Sequence, residues 1–218
     1  MVVAALIPAI LVEGSGHVQP QPNAQGGFVL SWRVGFRRSL VRTVKYLVAA
    51  SLDGKIARED GSFDCFAAVG DEHVPDYMQA IESFDAVLMG RRTYEVGLNA
   101  GVTDPYPRLD TFVFSASMRE SPDERVRIVS EPPAVFVRNL KRQPGGAIYL
   151  CGGAQLAATL LAAGLIDEIV VKLNPLLVGA GIPLFASIEQ PILLELAGTK
   201  IYGNGVVLLT YRVNRDGK

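Results

Sequence analysis

The sequence predicts an α/β fold: a mixed, mainly parallel eight-stranded sheet flanked by helices, with an antiparallel C-terminal hairpin. Three observations carry this. From residue 41 onward, short β-rich apolar runs alternate with helical stretches, the pattern of parallel strands crossed by helices. Small residues fall at three predicted strand ends, Gly90-Arg91, Ser115 and Gly152-Gly153, where open α/β sheets place their ligands. Near the end, Tyr202-Gly203-Asn204-Gly205 puts Asn-Gly turn chemistry between two strand-like runs, which joins antiparallel neighbours.

Bulk properties narrow the function. A chain of 218 residues can bury one good core. Its net charge of -1 gives no global electrostatic case for nucleic acid or an anionic membrane, so neither is expected as a partner. Cys65 and Cys151 stand far apart, which is neither a disulfide framework nor a zinc pattern and suits a reducing cytoplasm. His17 and His73 stand alone. No metal site is expected, and a Ser-His-Asp triad is disfavoured. The H-x-E with P-C-x-x-C signature of zinc deaminases is absent from the sequence, as are the Walker lysine motif and the Gly-x-Ser-x-Gly elbow.

Residues 1–40 are expected to lie outside the folded domain. The first twelve are apolar but too few to span a bilayer, and no Lys or Arg precedes them. Residues 13–27 are rich in Gly, Pro, Gln and Asn without apolar period, and 28–34 could add one short strand. The domain proper is expected over 41–214.

Within it, residues 41–50 read as a central strand, 51–54 as a turn and 55–57 as extended chain. Residues 64–73 show no period and read as a loop. Residues 75–83 are amphipathic, with Pro75 at a first-turn position where its missing N–H costs nothing. Strands follow at 86–89, 111–115, 126–129, 147–151, 167–174, 193–201 and 206–212. Helices are expected from Arg91 to about Leu98, over 132–142, and from the Gly152-Gly153 turn to about Ala163.

Two corners suit an anion. Gly152-Gly153 turns a buried strand into a helix whose first N–H groups lack intrahelical partners and lie at the positive end of the macrodipole. Gly90-Arg91-Arg92-Thr93 adds two guanidinium groups and a hydroxyl at another helix start. Plain architecture is the competing reading of each, with Thr93 a simple N-cap. Ser51-Leu52-Asp53-Gly54 either offers a carboxylate to a polar ring or forms a tight Asp-Gly turn. Asp71, Glu72, Asp76 and Tyr77 are candidate substrate contacts or a solvated acidic helix start. The run 179–185, Gly-Ala-Gly-Ile-Pro-Leu-Phe, has no helix after it, so it fails the dinucleotide-fingerprint context and reads as a tight loop.

Taken in order, four stretches resemble the dihydrofolate-reductase-like superfamily, in the branch of the riboflavin-biosynthesis reductases. They are Ser51-Leu52-Asp53-Gly54-Lys55-Ile56-Ala57, Met89-Gly90-Arg91-Arg92-Thr93-Tyr94, Gly152-Gly153-Ala154-Gln155-Leu156, and Asn174-Pro175 leading to 179–185. The resemblance covers about residues 42–213. It implies an NADPH-dependent oxidoreductase acting on a pterin- or pyrimidine-like molecule. By that resemblance Gly90, Arg91, Arg92 and Thr93 hold the phosphate-rich part of NADPH, with Arg91 or Arg92 at the 2′-phosphate. Gly152 and Gly153, joined through a cis peptide, hold the pyrophosphate with Ala154, Gln155 and Leu156. Ala50, Ser51 and Gly54 lie by the nicotinamide, and Ser115 by the adenosine half. The acid that folate reductases carry after their first strand has no firm counterpart here: Asp53 and the Asp71–Asp76 cluster compete for that role, and Asp53 is taken as the catalytic candidate. A non-catalytic NADP(H)-binding protein of the same fold is the rival reading. Self-association as a homodimer is expected only by analogy with the fold.

Overall fold

The computed structural model describes residues 41–214. The expected N-terminal extension, residues 1–40 with a strand at 28–34, lies outside the described residues. The elements in order are β1 (Val44–Ser51), β2 (Lys55–Arg58), a 3-10 turn (Asp64–Val69), α1 (Val74–Ile81), β3 (Phe84–Gly90) and α2 (Arg91–Asn99). There follow β4 (Asp110–Phe114), β5 (Val126–Val129), α3 (Pro133–Lys141), β6 (Ala147–Gly152) and α4 (Ala154–Ala162). The chain closes with β7 (Glu168–Asn174), β8 (Gly181–Pro183), β9 (Leu194–Ile201) and β10 (Val207–Val213).

Eight strands form one sheet in the order β5-β4-β3-β6-β1-β7-β10-β9. The first six run parallel, and β10 and β9 add the antiparallel edge. Side chains alternate across the central strand as the pleat requires. Val44, Tyr46, Val48 and Ala50 enter one core with Val137 and Leu140 of α3 and Leu156, Leu160 and Leu161 of α4. Leu47 joins the opposite core with Val87, Met89, Tyr94, Tyr106 and Tyr149. There α1 contributes Tyr77, Ala80 and Ile81, and α2 contributes Tyr94 and Leu98. The nearly all-apolar α4 is therefore held from within. Each buried leucine contributes about 1.5–3 kcal/mol, so the corner before α4 sits on a stiff support.

The terminal hairpin forms where Asn-Gly chemistry places it. Gly205 adopts φ +83°, a left-handed conformation that favours glycine, and its N–H donates to Tyr202 O at 3.0 Å. The 3-10 turn lies in the stretch read as loop. A further difference concerns residues 179–185. Instead of loop alone, this run contains β8, which pairs antiparallel with β2 in a separate two-stranded sheet. Three residues are too few to show a period in sequence. Ile182, Leu184 and Phe185 pack against the first core.

Gly181 is where β8 meets β2 most closely. A Cβ at this position would stand 2.3 Å from the carbonyl oxygen of Ala57. Gly181→Ala is expected to destabilise the protein by about 1–3 kcal/mol, read as a lower urea midpoint with unchanged slope. An unaltered midpoint would show that the β2–β8 pairing adds nothing to stability.

Candidate active site

At the carboxyl ends of β3, β4 and β6 lies a cleft of about 720 Å³, within the usual range for ligand sites. Gly90, Arg91, Arg92 and Thr93 line one side, Gly153, Ala154, Gln155 and Leu156 the other, with Ser115 between. The two glycine corners abut: Gly90 points its absent side chain at Gly153, whose backbone nitrogen lies 3.7 Å from that Cβ position. The peptide between Gly152 and Gly153 is cis. Gly152 itself is buried behind the cleft wall, with φ +128°.

The electrostatics of the two helix starts are alike. Gly90 caps α2 and Gly153 caps α4, in each case without a side-chain hydrogen bond and with no acid in the first turn. The amides at the start of α4 are left for an acceptor in the cleft, at the positive end of each macrodipole. Thr93 is not the N-cap. It is buried, and its Oγ1 would lie 3.4 Å from a Cβ on Gly153. Arg91 forms an i,i+4 pair with Glu95 at 2.5 Å, whereas Arg92 is exposed and has no carboxylate partner among the described residues.

The turn after β1 is built differently. Ala50 and Ser51 are 1% and 0% exposed, so their side chains do not line the cleft. Ser51 Oγ donates to Asp53 Oδ1 at 2.5 Å and accepts from Lys55 N at 2.9 Å, while Ala50 O accepts from Asn174 Nδ2 at 2.9 Å. Gly54, at φ +73°, accepts from Leu184 N at 3.0 Å. Asp53 accepts from Val178 N at 3.1 Å and Gly179 N at 2.7 Å. These bonds, the Ser51 hydroxyl foremost, hold the Asp53 carboxyl down at about 2. Such a carboxylate clamps the 176–179 loop to the β1 turn and is a poor proton donor at neutral pH.

A second, narrower pocket of about 80 Å³ lies beside β1, under α1. Leu47, Ala49, Tyr77, Val170 and Leu208 give it apolar walls, and His73, Asp76, Lys172 and Tyr202 supply its polar groups. Of the acids read as substrate contacts, Asp76 holds Lys200 and the Tyr202 hydroxyl, and Glu72 accepts from Gly203 N at 2.9 Å. Asp76 thereby ties α1, and Glu72 the turn before it, to the terminal hairpin. Lys172 Nζ lies 3.0 Å from His73 Nε2.

Burial, with the Lys172 ammonium beside it, pushes His73 down to about 4, and burial pushes Lys172 down to about 8. At neutral pH the lysine is charged and the imidazole is neutral. An unfolded histidine takes its proton near pH 6.5, so between about 6.5 and 4 the unfolded chain binds more protons than the folded one. His73 therefore contributes a loss of stability as pH falls through that window and none above it. Melting curves from pH 7 to 4 are expected to fall more steeply for the wild type than for His73→Gln. Parallel curves would contradict the buried neutral histidine.

The sequence pattern of the family described as RibD C-terminal domain matches residues 42–208, which include both pockets and all of the sheet but most of β10. The chain belongs to this family. Among curated relatives, the uncharacterized Bacillus subtilis protein YwjB is 37% identical over 170 residues, covering 77% of this chain and 95% of its own. A protein of Shewanella sp. PV-4, provisionally named for riboflavin biosynthesis, has a similar structure. It superposes with a TM-score of 0.71 at 27% identity, over 79% of this chain and 99% of that one. Dihydrofolate reductase of Enterococcus faecalis, solved with NADP(H), shares the fold at TM-score 0.58 and 16% identity, over 79% of this chain and 96% of its own.

Within this RibD C-terminal domain, some pocket residues escape a reading of the sequence. Pro132 and Pro133, which open α3, also line the cleft, so a third helix start faces it. His73 and Lys172 lie 99 positions apart and meet only in the fold. Lys172 does leave a trace: it interrupts the apolar run Ile169-Val170-Val171 within a strand paired on both sides. A lysine there is rarely buried without a reason.

Proposed function

We propose that this chain is an NADPH-dependent reductase that delivers hydride to a pterin- or pyrimidine-like small molecule, through a reductase domain spanning residues 41–214. One observation carries the reading: two uncapped, acid-free helix starts and an arginine pair converge on one cleft at the carboxyl ends of parallel strands. That donor set fits a ligand with several phosphate groups. NADPH, when bound, would supply the hydride.

In this reading the amides of Gly153, Ala154 and Gln155 hold the pyrophosphate, and Arg92, with Arg91 beside it, meets the 2′-phosphate. Ser115 lies towards the adenosine half. The backbone of Ala50 to Gly54 would flank the nicotinamide, kept rigid by the bonds of Ser51 and Asp53. Ala49, the next residue on β1, lines the second pocket, so β1 links the two spaces. One edge of the substrate ring would enter there against Leu47, Tyr77 and Leu208, oriented and shielded from water. Asp53 then acts by position, and water supplies the proton. Leu194, Leu196 and Ile201, exposed on edge strand β9, support self-association of two copies along that edge.

A thermal-shift panel with NADPH, NADH, pterins and aminopyrimidines tests the reading. NADPH at 100 times its Kd stabilises by about 2.7 kcal/mol, and consumption of NADPH with one of these rings separates an enzyme from a binding protein. NADPH binding with no turnover on any such ring would favour the non-catalytic rival. No shift with either nucleotide would remove both.

A further inference from the structure

Of the described helices, α1 is the least anchored. It has no buried residue, whereas α2, α3 and α4 each bury several. Tyr77, Ala80 and Ile81 are only partly buried where they rest on the opposite core. What fastens the segment is polar, and most of it comes from one place. Asp76 accepts from Lys200 and from the Tyr202 hydroxyl, Glu72 accepts from Gly203 N at 2.9 Å, and Asn204 Nδ2 donates to Val69 O at 2.9 Å. All four donors belong to residues 200–204, at the end of β9 and in the hairpin turn. His73 and the Tyr77 hydroxyl add further ties, to Lys172, Tyr106 and Tyr149. Water replaces such bonds at small net cost, so a segment held this way opens far more readily than one held by buried leucines.

Beneath α1 lies the second pocket, floored by β1, β7 and β10, each paired on both sides. That floor cannot yield without breaking the sheet. At about 80 Å³ the space is smaller than the roughly 150 Å³ cavity that admits benzene. A ring therefore enters beyond its edge only if a wall moves, and α1 is the wall with the weakest hold. We propose that residues 69–82 form a lid over the second pocket, latched by residues 200–204 of the terminal hairpin, and that release of the latch admits a flat ring. The acids at the start of α1 and the Asn-Gly turn then share one role, which is to keep the pocket closed. That the ring is a substrate rests on the reductase reading; the opening of the lid does not.

Acetylation of the full chain with acetic anhydride tests this without any ligand. Lys172 lines the pocket and is only 8% exposed, so its amine reacts when the lid opens, and Lys55, outside the pocket, is the internal reference. Peptide mass spectrometry reads both rates. The double variant Lys200→Ala/Tyr202→Phe removes two latch donors and leaves the sequence of α1 intact. It is expected to speed Lys172 acetylation about tenfold and to leave Lys55 unchanged. Asp76→Ala cuts the same latch from the other side and is expected to do likewise; should the double variant fail to fold, it decides. The two variants change the local charge in opposite senses, so acceleration in both cannot come from charge alone. Deuterium exchange of the β1 and β7 amides separates lid opening from unfolding, since Lys172 is expected to react through an opening at least about tenfold more frequent than the one that releases those amides. A Lys172 rate indifferent to the variants overturns the proposal, as does one that merely follows the strand amides. If Lys172 answers to the latch while NADPH reduces no ring, the reductase reading fails and the lid stands. Turnover with a Lys172 rate that ignores the latch keeps the reductase reading and removes the lid.

Discussion

Gly153→Val is expected to lower NADPH affinity by at least about 100-fold while leaving a folded protein. The backbone is no obstacle, since φ at Gly153 is -94°, open to any residue. The damage comes from the side chain. Its Cβ would touch Thr93 Oγ1 at 3.4 Å, an ordinary contact that the fold can absorb. The two γ carbons would extend between the first turns of α2 and α4, where Gly90 already leaves room for close approach. A phosphate could not then reach the amides of α4. Hydrogen bonds to a charged group contribute about 1.5–3 kcal/mol each, so losing two removes about 3–6 kcal/mol, or 100-fold and more. Calorimetry with NADPH measures the loss, and circular dichroism monitors the fold. Affinity within threefold of the wild type would mean that the corner is architecture alone.

Arg92→Ala is expected to reduce affinity for NADPH by about 10–100-fold and to leave NADH affinity unchanged. Arg91 and Arg92 both line the cleft, but their side chains are committed differently. Arg91 is held by Glu95 on the same helix face, a pairing that an incoming phosphate must compete with. Among the described residues no carboxylate pairs with the Arg92 guanidinium, which sits at a helix start that already favours an anion. One charge-assisted contact sets the scale. Arg91→Ala should therefore show the smaller effect. The ratio of NADH to NADPH dissociation constants is the readout. An unchanged ratio in Arg92→Ala would detach the arginine pair from cofactor choice.

The sheet was legible because its strands are short apolar runs separated by helices, and the hairpin because Asn204-Gly205 is local chemistry. The corners at Gly90, Ser115 and Gly153 were legible as strand ends bearing small residues, and the parallel topology brings them to one cleft. What escaped depends on distance along the chain. Asp53 reads equally as a catalytic acid or a turn residue until Val178 and Gly179, more than 120 positions on, are seen donating to it. The Lys172–His73 pair is likewise invisible to spacing, and β8 owes its existence to β2 across the fold.

The measurement that tests the central claim most directly is calorimetric titration of the full chain with NADPH and, separately, NADH. The account predicts one site per chain, a dissociation constant in about the micromolar range, and at least about tenfold preference for NADPH from the arginine corner. Absence of NADPH binding at millimolar concentration, or equal affinity for the two nucleotides, would contradict it.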